Sequence, residues 1–238
     1  MGADSLAAAL SAEAGAIGVP LTAAQIAALL RFRRLIERWT TRAGLTALRD
    51  PHQVIRFHFV DSLLCLRAAP FAAGAAVIDV GSGAGLPGIP LTIARPDLHM
   101  TLLEPAARKA AFLELAAAEL GLSCKIVAAR AESAGHDVRL RGQFDVAVAR
   151  AVAALRPLVE LTLPFVRVGG SAVLLKGPSV LAELHADIEI IAALGGESPR
   201  LVEARLAGGE RRVAVVIAKV AVTPDQYPRK ASRSRRRA

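Results

Sequence analysis

The stretch Val77-Ile78-Asp79-Val80-Gly81-Ser82-Gly83-Ala84-Gly85-Leu86-Pro87-Gly88-Ile89-Pro90 decides the fold of this chain. A short β-branched run leads to an acid and then to four glycines within eight residues, after which an apolar segment resumes. Glycine takes positive φ easily and lets a ligand come close to the backbone. The pattern therefore predicts a strand, a tight turn and a helix start, where unpaired N–H groups and the positive end of the helix dipole can face a ligand.

From about residue 71 onward, strand and helix patterns alternate, which is typical of an α/β fold with a parallel sheet and helices on both faces. The predicted strands are 76–80, 99–104, 124–128, 144–149, 171–176, 199–206 and 211–220. The predicted helices are 88–95, 106–120, 155–167 and 179–193. No helix separates the last two strands, so we expect a hairpin there and an antiparallel last strand in a sheet of seven.

Three regions differ in composition. Residues 1–70 are predicted to be a helical N-terminal region, residues 71–223 to form the sheet domain, and residues 224–238 to be a flexible basic tail. The formal net charge is +9, and six positive charges lie in the last ten residues without an acid among them. This distribution indicates either a tail that contacts phosphate groups or an incidental solvated end.

Two stripes of side chains follow the predicted helix 22–42, each with steps of three or four residues. The apolar stripe consists of Ile26, Leu29, Phe32, Ile36 and Trp39. The basic stripe consists of Arg31, Arg34, Arg38 and Arg42, and it points in nearly the opposite direction. The basic face is either an ordinary solvated surface or a phosphate-binding surface.

The sequence argues against secretion, membrane insertion and metal chemistry. Residues 6–30 are rich in alanine, but Glu13, Pro20 and similar residues interrupt them, so two short helices fit better than a membrane span. No basic segment precedes an apolar core near the N-terminus, which predicts a cytoplasmic protein. Cys65 and Cys124 form no C-x-x-C pair, and the histidines are scattered, so no metal site is predicted.

Two kinds of ligand fit the glycine turn. Gly83-Ala84-Gly85-Leu86-Pro87-Gly88 satisfies G-x-G-x-x-G, the dinucleotide fingerprint. However, the strand ends in Asp79 and the glycines begin at Gly81, as in the Rossmann-like methyltransferases that use S-adenosyl-L-methionine (AdoMet). A carboxylate repels pyrophosphate but suits the sulfonium and ammonium groups of AdoMet. Glu104, at the end of the second strand, can accept ribose hydroxyls in either case.

Five segments also occur in a particular order: Asp79–Gly88, Arg130–Glu132, Ala149–Val152, Leu175–Gly177 and Tyr227–Lys230. Together with His58–Leu63, they resemble the RsmG family, formerly called glucose-inhibited division protein B. The resemblance spans residues 35–230 and implies an enzyme that methylates N7 of one guanine in 16S ribosomal RNA near the decoding site, with AdoMet as the methyl donor. Leu86 stands where this family usually has Phe, and the arginine-rich end is not typical of it.

The resemblance implies that AdoMet contacts Gly81, Leu86, Ala131, Glu132 and Arg150. Asp79, Gly83, Gly85 and Glu104 are further AdoMet-binding candidates because of their places in the turn and at the second strand. The candidates for RNA binding are Arg31, Arg34, Arg38, Arg42, Lys176, Arg229 and Lys230. A methyltransferase acting on a small molecule or a protein, and an NAD-binding oxidoreductase, are the alternative functions.

No catalytic residue is predicted, because guanine N7 carries an in-plane lone pair and no proton, so its methylation needs no general base. The rate would come from holding the reacting atoms in line. We therefore expect Arg150 near the AdoMet carboxylate or an RNA phosphate, and His58 and Asp61 in structural hydrogen bonds. The partners are expected to be 16S ribosomal RNA or the small subunit, with no membrane, and the protein is expected to be a monomer.

Overall fold

The computed structural model describes residues 3–150 and 154–229, which form one seven-stranded sheet with a helical region before it. The helices are α1 (Ala3–Ala16), α2 (Ala23–Ala43), α3 (Pro51–Val54), α4 (Asp61–Ala68), α5 (Gly88–Ala94), α6 (Ala107–Leu120), α7 (Ala131–Ala134), α8 (Leu155–Thr162) and α9 (Val180–Ala193). The strands are β1 (Ala76–Val80), β2 (His99–Leu103), β3 (Cys124–Val127), β4 (Phe144–Arg150), β5 (Val166–Lys176), β6 (Arg200–Arg205) and β7 (Arg211–Ala218). None of these helices is both long and apolar enough to cross a membrane.

The strand order is β3-β2-β1-β4-β5-β7-β6. Strands β1 to β5 pair in parallel, whereas β7 is antiparallel to both β5 and β6. This arrangement confirms the predicted α/β class, the seven strands and the antiparallel last strand. The direction of strand addition reverses between β1 and β4, and in such sheets ligands bind at the carboxyl ends of the strands at this point.

Alternate side chains of the central strands point to opposite faces of the sheet and pack in two hydrophobic cores. On one face, Val77 and Leu102 pack with helices α2, α4, α5 and α6 and with α1. On the other face, Ile78 and Leu103 pack with α8 and α9. The N-terminal region therefore shares its core with one face of the sheet.

Helix α2 has a clear signal at each end. Thr22 and Gln25 form a capping box, and Gly44 ends the helix in the left-handed conformation at φ 60°. The predicted helix 22–42 is therefore confirmed nearly to the residue. Its buried Phe32 stacks on Phe59 at 5.7 Å between ring centroids and on Phe112 of α6 at 6.4 Å, which joins the N-terminal region to the sheet domain.

Two helical segments differ in detail from the sequence pattern. The predicted helix 155–167 ends at Thr162, a 3₁₀ turn follows over Leu163–Phe165, and β5 starts at Val166. Pro164 explains the difference, because proline has no N–H to continue the α-helical ladder. In the N-terminal region, which was predicted to be helical, the segment Ile55–Val60 between α3 and α4 is π-helical.

Residues 224–229, which the sequence analysis assigned to the flexible tail, make specific contacts. Arg141 donates hydrogen bonds to the carbonyl oxygens of Thr223, Pro224 and Tyr227. Arg229 forms an ion pair with the buried Glu160, with Nη2 and Oε2 2.6 Å apart. The rest of the tail, 230–238, lies outside the described residues.

The aromatic stack predicts a large effect of Phe32→Ala on stability. Removal of a fully buried ring should lower the free energy of unfolding by about 3–5 kcal/mol, measured by urea denaturation at 25 °C. The control is Val138→Ala, because Val138 is 80% exposed and its truncation should change stability by less than about 0.5 kcal/mol. A loss below about 1 kcal/mol for Phe32→Ala would mean that α2 contributes little to the shared core.

Candidate active site

The glycine turn has the geometry that its sequence predicts. Gly81, Gly83 and Gly85 have φ angles of 75°, 55° and 85°, values that other residues rarely adopt. The backbone N–H groups of Gly81 and Ser82 both donate to the carbonyl oxygen of Leu103, which fastens the turn to the end of β2. The turn therefore has a fixed conformation at the carboxyl end of β1.

The predicted AdoMet-binding residues lie at the ends of four adjacent strands. Ala131 and Glu132 begin α7 after β3, Glu104 follows β2, the turn follows β1, and Arg150 ends β4. These strands are neighbours in the order β3-β2-β1-β4, and all of them run parallel. Residues that are far apart in sequence therefore line one edge of the sheet. Leu86, also in this row, is buried.

Glu104 connects the turn to the second strand. This buried carboxylate accepts a hydrogen bond from Gly83 N at 2.8 Å through Oε2 and from Ala106 N at 2.9 Å through Oε1. A carboxylate offers about four acceptor positions. Each oxygen can therefore accept one more hydrogen bond, which is what two adjacent hydroxyl groups of a ribose require.

Asp79 has a structural partner that sequence reasoning missed. The side chain is fully buried, and Oδ2 accepts a hydrogen bond from Gly88 N at 2.9 Å. A Cβ at position 88 would lie 2.3 Å from Leu102 Cδ2 and 2.8 Å from Asp79 Oδ2, so the close approach requires glycine. Within the described part of the chain, Oδ1 has no hydrogen-bond partner. Burial raises the pKa of Asp79 to about 7.

Arg150 is held by residues of the N-terminal region. Its Nη1 donates to Phe57 O and lies 3.3 Å from Asp61 Oδ2, and its Nη2 lies 3.2 Å from His58 Nδ1. Arg150 was predicted at this edge of the sheet, and His58 and Asp61 were predicted to make structural hydrogen bonds, but the contact between the three was not predicted. The spacing of His58 and Asp61 was the available sequence signal, because a histidine and an aspartate three residues apart share one side of a helix.

The four arginines of the predicted basic stripe are all exposed. Arg31, Arg34 and Arg38 line an open cavity of about 360 Å³ together with Leu35, Glu37 and Glu119. Glu119 of α6 accepts hydrogen bonds from two of them, Arg31 through its carbonyl oxygen and Arg38 through its carboxylate. Arg42 lies over the ring of Trp39 at 5.6 Å.

The other RNA-binding candidates lie elsewhere. Lys176, at the end of β5, is 3.6 Å from Glu183 of α9. Arg229 is paired with Glu160 and also lies over the ring of Tyr227. Lys230 is outside the described residues. Among residues 3–150 and 154–229, no group of three or more histidine, cysteine, aspartate or glutamate side chains could hold a metal ion.

The strand order, the glycine turn after β1 and the acid after β2 define a Rossmann-like methyltransferase fold. TrmN from Thermus thermophilus is similar, with a TM-score of 0.53 and 20% identity over 76% of this chain and 53% of that one. Geranyl diphosphate C-methyltransferase from Streptomyces coelicolor is also similar, with a TM-score of 0.52 and 12% identity over 79% of this chain and 98% of that one. At these identities the likeness concerns the fold alone.

The sequence comparisons define the family. The family model described as rRNA small subunit methyltransferase G matches residues 25–212. Relatives named ribosomal RNA small subunit methyltransferase G include one from Clostridium beijerinckii, 37% identical over 93% of this chain and 94% of its own length. Another, from Moorella thermoacetica, is 41% identical over 90% of both chains. This chain belongs to the rRNA small subunit methyltransferase G family, which confirms the resemblance carried by the motifs.

The raised pKa of Asp79 predicts a pH-dependent stability. Because its folded pKa of about 7 lies above the unfolded value of about 3.9, the folded state binds the proton more tightly, and stability falls as the pH rises from 4 to 7. The free energy of unfolding of the wild type minus that of Asp79→Asn should therefore decrease from pH 5 to pH 7, as measured by urea denaturation.

A matched control is Asp97→Asn. The pKa of Asp97 is lowered by its hydrogen bond to Arg95, so its titration lies below this window and its difference from the wild type should stay constant. A constant difference for Asp79→Asn as well would mean that Asp79 is already ionised at pH 5.

Proposed function

We propose that this protein transfers the methyl group of AdoMet to N7 of a specific guanine in 16S ribosomal RNA. The observation that carries the proposal is the row formed by the glycine turn, Glu104, the start of α7 and Arg150 on adjacent strand ends. The relatives' shared name adds the class of acceptor, ribosomal RNA of the small subunit.

The residues in this row fit AdoMet. Glu104 has two acceptor positions left for ribose hydroxyls, and Ala131 and Glu132 begin the short helix that would flank the adenine. Arg150 supplies a cation at the far end of the row for the carboxylate of AdoMet or for an RNA phosphate. The glycine turn gives a close backbone approach between them. When bound, AdoMet supplies an electrophilic methyl group on a sulfonium.

The side chains near Arg150 support a mechanism without a general base. Burial and the charge of Arg150 lower the pKa of His58 to about 4, so this histidine is neutral at physiological pH and is a weak base. Asp61 is engaged by Arg150 and Arg212. Guanine N7 needs no deprotonation, so the task of these residues is to orient the reactants and to exclude water. A donor on N7 itself would block the lone pair that reacts, so Arg150 has no place there.

The acceptor side of the proposal rests on positive charge. Guanine N7 is hidden in the deep groove of an A-form helix, so the target base must lie in a loop or be splayed out. The exposed arginines of α2 and the basic tail are the proposed contacts for the phosphates that flank it. Since ribosomal RNA is the acceptor, the proposed place of action is the cytoplasm, and a monomer is the proposed state.

The direct test is labelled methyl transfer. Purified protein with radiolabelled AdoMet should label 16S ribosomal RNA, either free or in small subunits, and nuclease digestion should yield N7-methylguanosine. Transfer RNA is the negative control for the acceptor, and NADH is the control for the cofactor in an equilibrium binding assay. Label on another atom of guanine would overturn the proposed chemistry, and NADH binding in preference to AdoMet would favour the oxidoreductase alternative.

The basic surface of α2 predicts a change in salt dependence. The triple variant with Arg31, Arg34 and Arg38 changed to Gln should reduce the slope of log affinity against log salt by about 2–3, if each arginine contacts one phosphate. The measurement is RNA binding by fluorescence anisotropy at several salt concentrations. Arg139→Gln is the matched control, because Arg139 is also exposed but lies between α7 and β4.

The tail is tested in the same assay by a chain that ends at Arg229. This truncation keeps the ion pair with Glu160 and removes only the five positive charges that follow it. Loss of all five phosphate contacts would lower the slope by about 3–4. An unchanged slope for either variant would exclude that surface from the RNA interface.

A further inference from the structure

Five polar side chains meet where the N-terminal region contacts the carboxyl edge of the sheet. We call them the Arg150 cluster, and they are Thr46, His58, Asp61, Arg150 and Arg212. Asp61 connects the two arginines, since Oδ2 lies 3.3 Å from Arg150 Nη1 and Oδ1 accepts a bond from Arg212 Nε at 3.0 Å. The cluster therefore joins α4, β4 and β7.

The cluster is buried enough for its bonds to matter. Asp61 is 6% exposed and His58 is 9% exposed. Charged groups in such surroundings are costly unless they are paired, and removal of one partner leaves the others uncompensated. Burial raises the pKa of Asp61, while the charges of Arg150 and Arg212 act against this rise. One carboxylate faces two guanidinium groups, so these three side chains carry one positive charge that Asp61 does not neutralise.

The imidazole of His58 lies between Arg150 and the loop after α2. Its Nδ1 is 3.2 Å from Arg150 Nη2, which can only donate, and 3.1 Å from Phe57 O, which can only accept, so these two groups compete for Nδ1. A bond from Arg150 to Nδ1 requires the imidazole proton on Nε2. Nε2 lies 2.8 Å from Thr46 Oγ1, and this hydroxyl accepts a bond from Leu48 N, so the loop after α2 holds the imidazole in place beside Arg150.

The π-helical segment supplies the third bond to Arg150. Its Phe57 presents a carbonyl oxygen to Arg150 Nη1, and the ring of Phe57 lies 5.5 Å from the guanidinium carbon of Arg212. Single π-helical turns occur often at functional sites. This irregularity in the backbone therefore lies at the point where Arg150 needs an acceptor.

We propose that His58 and Asp61 are positioning residues for Arg150, and that they hold its guanidinium in the orientation in which it binds an anionic group of AdoMet or an RNA phosphate. The proposal rests on the proposed function. It assigns the N-terminal helical region a direct part in the active site, in addition to its basic surface.

The test is a double-mutant cycle with Arg150→Met and Asp61→Asn. Each single variant should have one of two effects, each of about tenfold or more. Either the affinity for AdoMet falls, or KM for RNA rises while the affinity for AdoMet stays unchanged. The first result identifies the AdoMet carboxylate as the anion, and the second identifies a phosphate. If Asp61 acts through Arg150, then Asp61→Asn should add less than about a twofold effect in the Arg150→Met background. Additive effects would overturn the proposal.

A matched pair at position 58 tests the histidine. His58→Asn keeps an acceptor near the place of Nδ1, whereas His58→Leu has a similar volume but no acceptor. The Asn variant should retain most of the affinity that the Leu variant loses. Equal losses for both variants would overturn the role of Nδ1 as an acceptor for Arg150.

Glu13→Gln controls for a purely structural effect. Glu13 is buried and pairs with Arg56 of the same π-helical segment, but it does not contact Arg150. This variant should lower the melting temperature without changing AdoMet affinity or KM for RNA. A change as large as that of Asp61→Asn would overturn the positioning role. AdoMet binding is measured without RNA. A wild type that binds AdoMet but methylates no ribosomal RNA would refute the proposed acceptor. The AdoMet affinities of the double-mutant cycle would still test the positioning role.

Discussion

The hydrogen bond between the buried Asp79 carboxylate and Gly88 N determines much of the architecture. It fixes where α5 begins relative to the end of β1, so both ends of the glycine turn, at Asp79 and at Gly88, are held in place. Glu104 then fastens the middle of this turn to the end of β2. Because both carboxylates are buried and bonded to backbone N–H groups, the turn is organised before any ligand arrives, which reduces the entropic cost of binding.

Local patterns in the sequence predicted the sheet and the helices that face it, because strand alternation, glycine turns and capping residues act over a few positions. The helix after β4 was predicted too long, since its apolar spacing continues past Pro164 although the backbone cannot. The contacts of Arg150 could not be predicted in this way. His58 lies 92 residues away in sequence, and Arg212 reaches Asp61 across 151 residues, so only the folded sheet brings them together.

Positive charge occurs in this protein in two different settings. The four arginines of the basic stripe on α2 are exposed, and two of them, Arg31 and Arg38, bond to Glu119 of α6 at the surface, so the stripe is accessible to a polyanion. By contrast, Arg141 and Arg229 bind backbone carbonyls and Glu160, and they hold the segment 224–229 against the sheet domain. The net charge of the chain therefore overstates the charge that a partner would meet, and position decides which arginines belong to an interface.

The position of β7 in the sheet affects the order in which parts of the site become available during synthesis. This strand is the last to be synthesised, yet it inserts between β5 and β6, and its Arg212 closes the cluster around Asp61. Domains begin to fold while the chain is still leaving the ribosome. The glycine turn and the strands β1 and β2 that hold it are synthesised early, but Asp61 gains its second guanidinium only after residue 212 has emerged. On a nascent chain the residues of the glycine turn are therefore present well before Arg212, which completes the cluster around Arg150.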